Sequence, residues 1–168
     1  MRVDAGGSWT TPESASIDRS HGAISFSAAG VNNVPMTLKW MLCFEEPEGR
    51  TLWLAKATPR AWLAAGERPI VVQRATSRYG RLSFTLHATT AAGGGGGSYV
   101  VRANVTLARS FAKAPPAGGV VVRLRVPLAY AGRLSSVSVG GEAWSAFDPA
   151  TETVSFAASQ LTAARIAT

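Results

Sequence analysis

The sequence predicts an all-β fold, an antiparallel β-sandwich that carries one short helical turn. Three observations predict it. Short runs rich in β-branched and aromatic residues recur from residue 36 onward, roughly nine to eleven of them, with turn residues about every ten positions. The helix–strand alternation that builds a parallel sheet is missing, and no repeat of fixed period emerges. The chain has 168 residues, 46% of them apolar. That is one domain's worth, able to bury about 70% of its unfolded surface. No apolar run approaches the ~18 residues of a membrane span, so a globular domain is expected.

Residues 1–35 are rich in Gly, Ser, Ala and Asn and read as an N-terminal arm or linker, with one alternating run, Ala23–Ser27, suited to an edge strand. The sandwich domain is expected over residues 36–168. Met36–Glu46 places Met36, Leu38, Trp40, Leu42 and Phe44 on one face at period two and predicts a long strand. Pro47–Arg50 turns the chain into a second apolar run, Thr51–Ala57, and the two runs should pair as an antiparallel hairpin. Then the strand pattern stops. Thr58 is suited to cap a helix, Pro59 to its first position, and Gly66 to its end at positive φ. About two turns of helix are unstable alone. Trp62 and Leu63 are therefore expected to pack on the sheet.

Ile70–Arg74 and Leu82–Leu86 read as strands around a turn at Ser77–Gly80. Ala91–Ser98, AAGGGGGS, reads as a flexible hairpin tip; no Gly-Lys-Ser/Thr follows it, as a phosphate loop would require. Tyr99–Leu107 is the returning strand, and Asn104-Val105-Thr106 within it matches the N-glycosylation pattern. Val120–Val126 is a strand ended by Pro127. Leu134–Val139 and Ala143–Phe147 flank Gly140-Gly141, the centre of a tight hairpin turn. Asp148-Pro149 starts another turn, Thr153–Phe156 is a short strand, and Leu161–Ile166 is either a terminal strand or a helical tail.

Charge is unevenly distributed. Residues 1–50 hold four basic and six acidic side chains, a balance of −2; residues 51–168 hold thirteen and four, a balance of +9. Arg102, Arg123 and Arg125 alternate with apolar residues, which is how a solvated sheet face is written. No nucleic-acid motif, basic helix or paired stacking aromatics accompany them, so nucleic acid is not an expected partner. The N-terminus lacks the apolar core of a secretory signal, and a secreted form would be a processed piece, which leaves the compartment unassigned. Cys43, the single cysteine, lies in an apolar run and reads as a small buried thiol.

Chemistry-bearing constellations are sparse. The two histidines, His21 and His87, join no motif, and with one cysteine they build no zinc-like set. No Gly-x-Ser-x-Gly elbow is present. Glu45, Glu46 and Glu48 cluster as at an exposed turn, although two carboxylates in a groove would suit glycoside hydrolysis. No catalytic residue, metal or cofactor is therefore expected. Among the aromatics, Trp40, Trp53 and Trp62 are expected in the core, while Tyr79 and Trp144 sit beside turns. Tyr79 and Trp144, with Arg78 and Arg60, are the candidate binding residues.

Several of these runs, taken together, carry a resemblance. They are Met41-Leu42-Cys43-Phe44-Glu45-Glu46, Leu52-Trp53-Leu54, Thr58-Pro59-Arg60-Ala61-Trp62-Leu63, Gly66, Ile70, Ala75-Thr76, Tyr79-Gly80, Leu82-Ser83-Phe84, and Val137-Ser138-Val139-Gly140-Gly141 before Trp144. Over about residues 36–157 this order resembles the C-terminal β-sandwich domain of large bacterial glycoside hydrolases with helical-barrel catalytic domains, of the α-L-rhamnosidase-like type. The pattern departs at the hairpin, where that family tends to have Asn-Gly, and at the glycine run, an insertion. The resemblance implies a non-catalytic accessory module that packs on a protein partner. A self-standing carbohydrate-binding module is the alternative, with aromatics exposed on one face, and a glycoside hydrolase in its own right is the second. A protein-packing module should expose a contiguous apolar patch.

Overall fold

The computed structural model describes the backbone of Arg2–Val3, Trp9–Thr10 and residues 28–90 and 98–162, and the side chains of residues 33–90 and 98–161. The expected edge strand Ala23–Ser27, His21 and the glycine run at 91–97 lie outside the described residues. The chain divides into two compact units, Met1–Trp40 and Met41–Thr168.

In the first unit, β1 (Arg2–Val3) pairs antiparallel with β2 (Trp9–Thr10). Helix α1 (Ala28–Leu42) then begins, and its last two residues belong to the second unit. The long strand expected over Met36–Glu46 is thus helix as far as Leu42. Period two was present, but Met, Leu and Lys are strong helix formers, and the run contains no Val or Ile to resist the helix. Met36, Leu38 and Trp40 are all exposed on α1, Trp40 at 52%. Trp40 is therefore not the core residue that the alternation suggested.

The second unit is all β with short helical pieces. Strand β3 (Cys43–Glu45) pairs antiparallel with β4 (Leu52–Leu54), Phe44 opposite Trp53, so the expected hairpin forms over its second half. Strands β5 (Ile70–Ser77), β6 (Gly80–Thr90) and β7 (Tyr99–Leu107) form an antiparallel three-stranded sheet in that order. Helix α2 (Ser110–Lys113) follows, then β8 (Val120–Arg123). Next come a hairpin of β9 (Ser138–Val139) and β10 (Glu142–Ala143), then β11 (Phe147–Asp148), β12 (Thr153–Phe156) and helix α3 (Ala158–Thr162). The tail is thus helical where it is described. Strands β11, β12, β8, β4 and β3 form the second sheet in that order. One pairing in it, β4 with β8, is parallel. The connection between those two strands contains the whole three-stranded sheet, which supplies the long crossover that parallel neighbours require.

One core lies between the sheets. Leu52, Leu54, Val120, Val122 and Val154 from the five-stranded sheet cluster with Ile70, Leu82, Phe84, Leu86 and Ala88 from the three-stranded one. Along β6 every second residue from Leu82 to Ala88 is buried and the residues between face outward, the pattern of a sheet covered on one side. Each fully buried Leu or Phe contributes about 1.5–3 kcal/mol. Cys43 is buried with them, as its setting suggested. Gly140 and Gly141, at φ 60° and 86°, turn β9 into β10 with both central residues at positive φ, the primed turn that the two glycines announce.

The helical turn after β4 is a single 3₁₀ turn, Arg60–Leu63. Thr58 does not cap it. The Thr58 side chain is fully buried and its hydroxyl donates backward to the Ala55 carbonyl at 3.4 Å. Pro59 precedes the turn rather than opening it, with an extended ψ of 137°. Gly66 does take positive φ, at 89°. With about three residues per turn, neighbouring side chains point about 120° apart, so Trp62 and Leu63 cannot both face the core. Leu63 is buried at 1% exposure, whereas Trp62 is 38% exposed.

Candidate functional site

The four residues singled out by sequence are each engaged by the protein itself. Arg60 leaves the 3₁₀ turn toward the β11–β12 turn, where its Nη1 donates to the Glu152 carboxylate at 2.7 Å and to the Val126 carbonyl. That hydrogen bond to Glu152 raises the guanidinium above its ordinary pKa, so Arg60 is a fixed charge. Arg78 in the β5–β6 turn donates Nε to Glu45 of β3 at 2.7 Å, and its backbone N–H donates to the same oxygen at 3.1 Å. This pair ties a turn of one sheet to an edge strand of the other.

Tyr79 is half-buried. Its ring lies tilted against Phe111 at 6.1 Å, and its hydroxyl donates to the Arg50 carbonyl at 3.4 Å. Trp144 is half-buried too, with its ring 5.1 Å from Phe156 and its Nε1 donating to the Ser155 carbonyl at 3.2 Å. The surface role read from the turn-side positions of Tyr79 and Trp144 therefore meets rings that already pack. The structure brings Arg78 and Tyr79 together beside Glu45 and Arg50; Arg60 and Trp144 have other partners. Of the arginines read as a solvated face, Arg102 is exposed. Arg123 instead donates to the Thr151 and Lys56 carbonyls, and Arg125 has a buried Nε.

A different surface is left open. Trp62, Leu42, Pro69, Ile70 and Val71 line a groove of about 360 Å³, with the exposed Glu67 and Arg68 completing it. Two of its residues are large exposed apolar groups, Trp62 at 38% and Val71 at 53%. Their positions follow from local geometry. Trp62 is turned outward because Leu63 takes the core side of the 3₁₀ turn. Val71 is turned outward because Ile70 and Val72 occupy the inner face of β5 on either side of it. The sequence carried both signals in the neighbouring residues, although Trp62 itself read as core.

A second groove of similar size crosses the outer face of the three-stranded sheet, lined mainly by polar residues from Gln73 to Thr106. It lies at a β-bulge, where Gln73 and Arg74 together oppose Ser83. Arg74 takes φ 52° there, and its N–H donates to the Ser83 hydroxyl at 2.9 Å. Asn104 lines this groove and is exposed.

Among the described residues, no group of three or more His, Cys, Asp or Glu side chains is placed to hold a metal ion. No described helix is long and apolar enough to cross a membrane. No protein family, curated protein or solved structure matches the chain.

Proposed function

We propose that this chain is a non-catalytic accessory β-sandwich module that packs on a protein partner through the Trp62–Val71 groove, the partner being the catalytic domain of a helical-barrel glycosidase. The observation that carries this reading is the pairing of two large exposed apolar side chains, Trp62 and Val71, in one groove whose further lining is Leu42, Pro69 and Ile70. An apolar centre with a tryptophan anchor beside charged residues is the make-up of an interaction hot spot. The resemblance of residues 36–157 to a sandwich appended to such enzymes supports the choice of partner. The engagement of Glu45 by Arg78 and of Glu152 by Arg60 also takes two carboxylates away from acid–base work.

The test is calorimetric titration of the chain with a helical-barrel glycosidase catalytic domain expressed without its own C-terminal sandwich. Saturable binding by the wild type, weakened about 30-fold or more by Trp62→Ala, is the expected result for a hot-spot residue. Absence of binding, or equal binding by Trp62→Ala, overturns the reading.

One observation favours a second reading. The exposed Trp62 ring beside Glu67 and Arg68 also offers a stacking surface with hydrogen-bonding groups, the equipment of a sugar site. Quenching of tryptophan fluorescence by rhamnose-containing oligosaccharides, abolished by Trp62→Ala, would support the carbohydrate-binding module instead.

A further inference from the structure

Strands β5 and β7 are the two edges of the three-stranded sheet, and they are built differently. An exposed edge offers a row of unpaired N–H and C=O groups, which proteins guard with bulges, prolines, charges or short strands. β5 is guarded by its bulge between Val72 and Ala75 and by Arg74 within it. β7 has none of these except Arg102. It runs nine residues, pairs with β6 without a break from Tyr99 to Leu107, and contains no proline. Its far side has no strand partner among the described residues. Its inner face is also incompletely covered. Ala103 and Val105 stand opposite the fully buried Leu86 and Phe84, on the core side of the sheet, yet Ala103 is exposed and Val105 is 37% exposed.

We propose that this edge is an interface with a second copy of the chain, the β7 strands of two copies pairing antiparallel about a two-fold axis at Ala103. Ala103 is the midpoint of Tyr99–Leu107, so this register keeps the whole strand paired, a contact about 30 Å long. It sets Tyr99 against Leu107, Val101 against Val105 and Ala103 against itself on the core side. On the other side it sets Val100 against Thr106 and Arg102 against Asn104. Arg102, the strand's one charge, stands directly opposite an amide, and its own copy lies on the diagonal, farther off than a directly opposed residue. The residue on the axis is alanine, which leaves room for its twin. The result is one continuous six-stranded sheet in which the exposed Val105 of each copy is covered by the half-buried Val101 of the other. A two-fold contact of this kind is self-complementary and closes at two copies.

The proposal is tested by sedimentation equilibrium of the full chain across the micromolar to millimolar range, with Ala103→Lys and Ala103→Glu. Wild type is expected to rise from 17.5 kDa toward twice that mass with concentration. Each variant sets like charges face to face on the axis and is expected to weaken pairing at least 10-fold; mixing the two in equal amounts restores it. Ala103 is exposed, so a far-UV spectrum and melting curve like those of wild type confirm that each variant is folded. A wild type that stays at 17.5 kDa overturns the proposal. So does a dimer that both variants leave intact, or a mixture that fails to recover it.

Discussion

Replacing Arg60 with methionine removes the side chain that pairs with the Glu152 carboxylate while keeping much of the apolar stem. Glu152 is 5% exposed at its side chain and Arg60 26%. Removing one member of a fully buried pair costs about 3–5 kcal/mol, because the remaining charge stays desolvated and alone. A quarter-exposed Arg60 position lets water reach the carboxylate, which lowers this to about 2–3 kcal/mol. The lost hydrogen bond to the Val126 carbonyl adds about 1 kcal/mol. The sum, roughly 3–4 kcal/mol, corresponds to a fall in Tm of about 6–16 °C for a domain of this size. Denaturant unfolding of Arg60→Met, Glu152→Gln and the double variant closes a thermodynamic cycle. Arg60→Met is expected to be the worst of the three, with the double variant recovering about 1 kcal/mol or more. An Arg60→Met chain within about 0.5 kcal/mol of wild type, with additive single effects, would refute the account of this clamp. Arg60 and Trp62 share one 3₁₀ turn, so under the proposed function loosening this clamp should also weaken binding at the Trp62–Val71 groove.

Leu63→Ala should cost about 2–5 kcal/mol in denaturant unfolding, as for a buried leucine that leaves a cavity, and a cost under about 1 kcal/mol would place Leu63 at the surface. Gly141→Ala should cost about 1–2 kcal/mol by the same measurement, since φ 86° suits glycine and strains alanine. Tyr99, raised above its ordinary pKa first by burial and then by Tyr130, should ionise late in an alkaline absorbance titration. Its folded pKa lies above the unfolded value, so its contribution to stability is complete below about pH 10 and is lost as pH rises through the folded pKa. Ionisation of Tyr99 at or below the ordinary value would contradict its burial beneath the stacked Tyr130 ring, 4.3 Å away.

How much of this could be read in the sequence depends on which interactions decide each element. Strands rich in Val, Ile, Thr and Phe, such as those at Ile70, Leu82, Tyr99 and Val120, were legible because propensity and period agree there. The Gly140-Gly141 turn was legible because few other residues tolerate two successive positive φ values. Over Met36–Leu42 period two and helix propensity conflict, and the helix prevails where no sheet neighbour claims the strand. The parallel pairing of β4 with β8 carries no local signal, since it joins residues 52–54 to 120–122 across the sequence. The candidate site was half legible. Chemistry singles out Arg60, Arg78, Tyr79 and Trp144, but each has a partner distant in sequence, such as Glu152 for Arg60, that sequence spacing does not reveal. The instability of a short helix on its own predicts both Trp62 and Leu63 against the sheet, whereas the 3₁₀ turn gives the core place to Leu63 and leaves Trp62 38% exposed.

Hydroxyl-radical footprinting of the chain, free and mixed with the helical-barrel catalytic domain, reads the proposed docking groove itself. Trp62 and Val71 should be oxidised in the free chain and protected in the complex, while buried Leu63 reacts in neither. Trp62 and Val71 oxidised equally in both samples, under conditions where the two proteins are bound, would contradict the assignment of this groove as the docking surface.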